Sequence, residues 1–311
     1  MKVSVIIPTR NRIPMLTDAV RSVLEQTVPP YEVIVVDDAS DEDVGRALEA
    51  AFPGAPVQLL CLRQPEPRGA CSARNRGAQA ARGGILMFLD DDDTWEPEKI
   101  RKQLDVFDRH PDVGLVYTGR LLVPDTDRRK IIGTVTPKAR GWLYPAILYD
   151  NLIGSTSSVA MKKQLFIEAG GFDERFPAKQ DYDLWIRCAK LTRIEHDGGY
   201  HVRYTVSTQP GRQISAKKDV HVQAVRLLLS KYAEDIEKQG PVGKRKIMAA
   251  NYFTIAKAAQ RHNYWLGLKW YAKSLLSYPN PKSALGLIPL PVLQWCRRKL
   301  TSWRWKPEAG T

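Results

Sequence analysis

The sequence predicts an α/β fold: a mostly parallel sheet flanked by helices, with a helical C-terminal extension. Three observations point to it. Short, nearly continuous apolar runs recur in the first third of the chain and end in polar or acidic residues, as strands covered on both faces do. Segments with apolar residues at helical spacing follow them. Beyond residue 211 the charge balance shifts and helical stripes replace the strand pattern.

The first strand is Lys2-Val3-Ser4-Val5-Ile6-Ile7, ended by Pro8, with a polar loop from Thr9 to Arg12. Pro14 suits the first turn of a helix that carries Leu16, Ala19, Val20, Val23 and Leu24 on one face. A second buried strand, Glu32-Val33-Ile34-Val35-Val36, ends in Asp37-Asp38. The segment Gly69-Ala70-Cys71-Ser72-Ala73-Arg74-Asn75-Arg76-Gly77 leads into a small-residue helix, and then a third strand, Ile85-Leu86-Met87-Phe88-Leu89. Four acids follow at once: Asp90-Asp91-Asp92-Asp93. Massing carboxylates at a strand end is costly unless their charge is cancelled, and a divalent cation with oxygen ligands does this readily. In open α/β sheets the carboxyl ends of strands are also where ligands bind. The plainer alternative is a solvated loop, with Thr94 capping the next helix and Pro97 in its first turn.

With 311 residues and 43% hydrophobic content, the chain suffices for one domain of about 200 residues and a smaller one. No run approaches the ~18 apolar residues of a membrane span. Met1-Lys2-Val3 enters a strand directly, which reads as a chain without a signal peptide. Cys61, Cys71, Cys188 and Cys296 have no metal-site spacing, nor do the five histidines. The expectation is reduced thiols in a cytoplasmic protein.

The net charge of +13 is unevenly placed: residues 1–211 hold 28 basic and 29 acidic residues, whereas 212–311 hold 19 and 5. The predicted organisation is a first domain over 1–215, a helical extension over 216–278 and a basic, Trp-rich tail over 279–311. Val225, Leu228, Leu229, Tyr232 and Ile236 keep helical spacing until Gly240-Pro241. Met248, Tyr252, Ile255 and Ala259 form a second stripe, and Trp265, Leu268, Ala272 and Leu275 a third. The last two resemble one tetratricopeptide-like unit, too little to stand alone, so packing on the first domain is expected. In the tail, Trp295, Trp303 and Trp305 alternate with Arg297, Arg298, Lys299 and Arg304. That mixture suits the headgroup layer of an anionic membrane, such as the inner face of the cell membrane. The alternatives are a disordered tail or a strap on the domain. No nucleic-acid module accompanies the charge, so that partner class is set aside.

Five segments together resemble the family 2 glycosyltransferases, over roughly residues 2 to 215. They are the opening strand with Pro8-Thr9, the strand end Val36-Asp37-Asp38, Ala73-Arg74-Asn75, the triplet Asp90-Asp91-Asp92, and a downstream block. That block runs Gly170-Gly171-Phe172-Asp173-Glu174-Arg175-Phe176, then Gln180-Asp181-Tyr182-Asp183-Leu184-Trp185. The resemblance implies a GT-A type (Rossmann-like) fold. It also implies an inverting, metal-dependent transfer from a nucleotide-sugar donor, a UDP-sugar first among candidates, to a saccharide or lipid-linked acceptor in surface polysaccharide or glycolipid synthesis.

By the same resemblance Asp38 holds the nucleotide base, with Pro8, Thr9 and Arg12 lining the pocket. Arg74 meets phosphate or orients the acids, or else pairs with Asp37 or Asp90. Asp92 binds the Mn²⁺ or Mg²⁺ that bridges the diphosphate, and Asp90 and Asp91 contact the donor. Four consecutive acids leave the ligand open by one position. Asp181 is the general base, although Gln180 stands where the family often has Glu. The alternative for Asp181 is a helix N-cap. The family's histidine before Gln-Ile-Ser is missing from Gln209-Pro210-Gly211-Arg212-Gln213-Ile214-Ser215, where Arg212 is the candidate substitute. The rival classes are a nucleotidyltransferase, whose Gly-rich loop is missing after the first strand, and a non-catalytic glycan- or membrane-binding module.

Overall fold

The structure is a computed structural model that describes residues 1–207, 220–260 and 263–288. The chain divides into two units, Met1–Ile214 and Ser215–Thr311.

The first unit begins with β1 (Val3–Thr9), α1 (Ile13–Leu24), β2 (Glu32–Asp37), α2 (Val44–Ala51), β3 (Gln58–Arg63), α3 (Gly69–Ala80) and β4 (Ile85–Phe88). β5 (Thr94–Trp95), α4 (Lys99–Arg109), β6 (Val113–Pro124) and β7 (Gly133–Val135) follow. It ends with β8 (Val159–Lys162), α5 (Lys163–Glu168), α6 (Gln180–Leu191) and β9 (Arg193–Val206). The sheet order is β3-β2-β1-β4-β8-β6-β9-β5, with β7 paired to β6. β3, β2, β1 and β4 are mutually parallel. β8 runs antiparallel to both β4 and β6, and β6 runs parallel to β9. The sheet is therefore a parallel half joined to a mixed half.

Every residue of β1, β2 and β4 is buried, which explains why these strands read as apolar runs rather than alternations. α1 covers one face through Leu16, Ala19, Val20 and Val23. The fully buried Leu and Val side chains contribute about 1.5–3 kcal/mol each, the Ala19 methyl about 0.8. α3 covers the other face differently. A Cβ at Gly77 would lie 2.5 Å from Ile6 Cγ2, so the missing side chain lets this helix approach β1 closely. That close approach carries Arg74 to the carboxyl ends of the strands.

Two expectations change. The segment containing Ala73-Arg74-Asn75 is itself helical, because α3 begins at Gly69. Thr94 caps no helix: Thr94 and Trp95 pair with Arg203 and Val202, and α4 starts only at Lys99. The backbone amides after the acids are thereby used by a strand rather than by a helix N-terminus.

The second unit contains α7 (Val220–Lys231), α8 (Ala233–Glu237), α9 (Gly240–Gln260), α10 (Tyr264–Ser277) and α11 (Pro281–Gly286). The first stripe already breaks at Tyr232, and Gly240-Pro241 opens α9. The inward residues of α9 include Gly243, Ile247, Asn251 and Ile255, and those of α10 are Gly267, Tyr271 and Ser274. Met248, Tyr252 and Ala259 are only partly buried, and Trp265 is 76% exposed. Large apolar residues marked the inner face only in part, because α9 and α10 pack through small and polar residues as well as Ile247, Ile255 and Tyr271. Ser274 Oγ donates to the Ala249 carbonyl at 2.7 Å, and a Cβ at Gly267 would meet Gln260 Cβ at 2.7 Å. The Trp-rich part of the tail, Cys296 and Arg212 lie outside the described residues.

One buried charge lies away from the strand ends. Lys99 is fully buried, its Nζ 2.8 Å from Gln103 Oε1 and 3.9 Å above the Trp95 ring. Burial lowers its pKa from 10.5 to about 7, against the pull of Asp197. The unfolded chain thus binds more protons between these values, and wild-type stability rises with pH across that window. Lys99→Met should raise the unfolding free energy by about 1–3 kcal/mol below pH 7, net of the unpartnered Gln103 carbonyl. The advantage should fade as pH approaches 10.5. Guanidinium denaturation of both proteins at pH 6.5 and 9.5 measures it; a pH-independent difference would contradict this account.

Candidate active site

The strand ends gather four acids whose side chains divide into two pairs. Asp91 and Asp93 turn inward; the Asp91 side chain is 8% exposed and Asp93 is 1% exposed. Asp90 and Asp92 face outward, with side chains 27% and 25% exposed. Thr9 Oγ1 donates to Asp91 at 2.8 Å, and Arg12 Nη1 donates to Asp91 and Asp92, both at 3.1 Å. Asp93 accepts from Ser157 Oγ at 2.6 Å and from the Thr205 amide at 2.9 Å. The Thr205 hydroxyl donates to the Asp92 carbonyl. Asp91, expected at the donor from sequence, is a buried support in this structure, because Thr9 and Arg12 hold both its oxygens.

Asp90 is held by Arg74 Nη2 at 2.5 Å and by Thr156 Oγ1 at 3.1 Å to each oxygen, while its amide donates to Ser157 Oγ at 3.1 Å. Crowding perturbs the group. Burial pushes the Asp91 carboxyl up to about 6, against Arg12. Burial and then Asp90 push Asp92 up, and burial, Asp92 and Asp90 push Asp93 well up. The cluster holds more negative charge than Arg12 and Arg74 offset.

Arg74 itself is 6% exposed and packs on the Phe172 ring at 5.4 Å. Its Nε and Nη1 have no hydrogen-bond partner. A buried guanidinium with two unused donors beside Asp90 is suited to receive anionic oxygen. Asn75 clasps the Phe172 backbone, receiving its amide at 2.8 Å and donating to its carbonyl at 2.9 Å. Gly171 permits this contact. Its φ is +66°, and a Cβ there would stand 2.9 Å from Asn75 Oδ1.

Asp38 is buried and accepts from Gln64 Nε2 at 2.6 Å and from the Arg68 and Gly69 amides at 2.7 and 2.8 Å. It therefore anchors the start of α3. Its own amide donates to the Thr9 carbonyl at 2.9 Å, and Pro8 sits opposite Val36 within the sheet. Asp37 serves the strand end, accepting from the Ser40 amide and Arg63.

Asp181 lies in the first turn of α6, following Lys179 in the left-handed conformation. It is not the N-cap. Burial raises its carboxyl above the usual range, while Lys179 and Arg74 pull down and Asp90 pushes up. Asp181, Arg74 and Asp90 thus share one neighbourhood. Asn151 Nδ2 approaches Asp181 at 3.4 Å. Tyr182 and Trp185 pin α6 to the carbonyls of Ile147 and Gly154.

Sequence reading missed Thr156, Ser157, Thr205 and Asn151. The polar run Ser155-Thr156-Ser157-Ser158 before an apolar strand was the available signal. Among the described residues no three or more His, Cys, Asp or Glu side chains converge on a metal position. Asp90 and Asp92 form an outward pair of hard oxygen donors with surplus negative charge. That donor chemistry fits a divalent cation whose other ligands come from phosphate and water.

A parallel half-sheet with acids at its carboxyl edge, joined to a mixed half, defines the GT-A class of nucleotide-sugar transferases. The comparisons agree. Residues 4–166, just over half the chain, match the profile of glycosyl transferase family 2, and the chain belongs to that family. An uncharacterized glycosyltransferase of Haemophilus influenzae is 31% identical over 59% of this chain, which spans 60% of that relative's length. A glucosyl-dolichyl phosphate glucuronosyltransferase of Haloferax volcanii is 32% identical over 66% of each chain. S. aureus TarS 1-349 in complex with UDP-GlcNAc shares the fold with a TM-score of 0.65 at 18% identity, covering 96% of this chain and 88% of that fragment. Mannosyltransferase PcManGT of Pyrobaculum calidifontis, in complex with GDP-Man and Mn²⁺, has a TM-score of 0.56 at 21% identity, covering 98% and 81%. The protein is a glycosyltransferase.

Arg74→Met should destabilise the first unit by about 1–3 kcal/mol, because Asp90 loses its charged partner while Thr156 remains. Chemical denaturation with intact far-UV circular dichroism checks this. An unchanged midpoint would mean the pair is only a crystal-like surface contact despite its burial.

Proposed function

We propose that the protein transfers a sugar, with inversion, from a nucleotide-sugar donor to a saccharide or lipid-linked acceptor, in a divalent-metal-dependent reaction. The observation that carries this reading is the outward pair Asp90 and Asp92 beside the half-satisfied Arg74 and the raised carboxyl of Asp181. Asp92, with Asp90, would hold Mn²⁺ or Mg²⁺, and the ion when bound supplies Lewis-acid stabilisation of the departing diphosphate. PcManGT was solved with Mn²⁺ and TarS with UDP-GlcNAc, which supports a nucleotide-sugar donor and a divalent ion here.

Arg74, paired with Asp90, would place positive charge near the departing diphosphate, in a site that excludes much of the solvent. Thr156 and Ser157 fix the Asp90 carboxylate and backbone, so the acids need not reorganise as charge develops. Asp38, through the start of α3, shapes the edge where the nucleotide base would sit. Asp181 accepts the proton of the acceptor hydroxyl as that oxygen attacks the anomeric carbon opposite the diphosphate. Its raised carboxyl matches it better to neutral pH than an ordinary aspartate. The Haloferax relative's name includes dolichyl phosphate, which supports a lipid-linked acceptor. No helix among the described residues is long and apolar enough to cross a membrane. The basic C-terminal third supports peripheral attachment at a cytoplasmic membrane face.

Two substitutions test the roles. Asp92→Asn should remove the Mn²⁺-dependent part of UDP binding by calorimetry and nearly abolish transfer; activity equal to wild type would refute the assignment. Asp181→Asn should keep UDP binding within a few-fold and lower kcat by about 10²–10⁴. The acid limb of kcat/KM should lie above the ordinary aspartate range, with activity gained as pH rises through it, and should vanish in the variant. Retained anomeric configuration in the product, read by NMR, would overturn single displacement.

A further inference from the structure

A groove of about 340 Å³, lined by Asp18, Thr94, Arg128, Arg129 and Arg203, opens beside the acids. Its walls come from α1, β5, β9 and the turn between β6 and β7. Arg203 is paired with Glu96 at 2.6 Å. Arg128 reaches Asp18 only at 3.5 Å, and that Asp18 side chain is 53% exposed, so the pair is weak. Among the described residues the Arg129 guanidinium has no ion pair. The lining itself holds three guanidiniums and one carboxylate, and Lys130 adds a further cation on the same turn, which also carries Asp125 and Asp127.

The same hairpin changes character within two residues. Ile131 is 49% exposed, Ile132 53% and Val135 37%. β7 pairs with β6 alone, so this apolar strip lies on an outer edge. A groove lined by three guanidiniums, followed along the same hairpin by exposed isoleucines, is complementary to an anion with a hydrocarbon chain. Arginine forks match phosphate geometry, and a phosphate carries up to two charges for them. A nucleotide-sugar donor has no apolar part that would contact the isoleucines.

We infer that this groove binds the phosphate of a lipid-linked acceptor, with Ile131, Ile132 and Val135 receiving the start of its hydrocarbon chain. The inference rests on the transferase reading above and names the acceptor class for it. The location suits the task. Thr94 lies two residues after Asp92, and Thr205, two residues after Arg203, is bonded to the Asp92 carbonyl. An acceptor phosphate held there would bring its attached hydroxyl-bearing sugar, or its own phosphate oxygen, toward the donor.

The test titrates the full chain with farnesyl monophosphate, farnesol and inorganic phosphate by calorimetry, with and without UDP and Mn²⁺. Farnesyl monophosphate should bind most tightly, and UDP should not displace it. Arg128→Ala/Arg129→Ala should weaken it by about tenfold or more, the scale of one lost charged contact. Ile131→Ser/Ile132→Ser should bring its affinity close to that of inorganic phosphate. If the double arginine variant does not fold, Arg129→Ala alone decides, since its side chain stabilises no partner. Unchanged affinity in the arginine variants overturns the inference. So does farnesol binding as well as its phosphate, which would mark a merely apolar site. Inorganic phosphate binding equally well would mark a soluble phosphate instead, and displacement by UDP would assign the groove to the donor. Loss of donor turnover with intact farnesyl monophosphate binding would refute the transferase reading and leave this site standing.

Discussion

Four adjacent carboxylates at a strand end are the constraint on which the whole carboxyl edge depends. At the spacing of neighbouring residues and in a partly desolvated setting, each repels the next by an amount that water alone would not screen. The fold resolves this by alternation. Asp91 turns toward β1, to Thr9 and Arg12, and Asp93 turns toward β9 and the Thr156–Ser158 turn. The same two side chains thereby tie the parallel half of the sheet to the mixed half. Asp90 and Asp92 are left outward, and burial with Asp90 holds the Asp92 carboxyl above its ordinary range. The repulsion that remains is the attraction the site offers to a cation.

The sheet order explains why the acids stand where they do. From β1 the chain winds outward through β2 and β3, then returns to the other side of β1 as β4. That reversal leaves a crevice above the carboxyl ends of β1 and β4, the position at which open α/β sheets bind ligands. The bond from Thr9 to Asp91 spans it. α3 crosses behind, brought close by Gly77, and its Arg74 enters the crevice from the far side. Glycine at 77 and arginine at 74 are thus one device: the first sets the distance at which the second acts.

Of the strands, β1, β2 and β4 were legible because burial on both faces leaves them largely apolar, with Ser4, Glu32 and Asp37 among the buried exceptions, whereas β3, β6, β8 and β9 were not read from the sequence. The acids and Asp181 were picked out by the family resemblance of the segments that hold them, and their roles are proposals. The supports were not picked out. Ser157, Thr156 and Thr205 reach the acids from 60 or more positions away, and hydroxyl residues carry no periodic signal of their own. Asp91, read from sequence as a donor contact, is bonded to Thr9 and Arg12 here: sequence shows four equivalent acids, and only the backbone turn decides which alternate pair faces in. In the second unit the first stripe held, with Val225, Leu228, Tyr232 and Ile236 buried, and the later ones held only in part. Helices α9 and α10 bury Gly267 and Ser274 beside Ile255 and Tyr271 and expose Trp265.

The electrostatic coupling between the two halves of the site has a consequence for the order of events. Asp181 feels Arg74 as a pull toward ionisation and Asp90 as a push against it. Arg74 is fixed to Asp90, so its pull is constant. Asp90 is the variable member. On the proposed reading, a divalent ion held by Asp92 with Asp90 would offset that push and favour the ionised Asp181, which would then be a better base with the acids occupied than without. A free base beside an activated sugar would invite water as readily as the acceptor. Tying ionisation of Asp181 to occupancy of the acids therefore favours transfer after the donor is seated, and it does so without any moving part, through the shared field of Arg74 and Asp90.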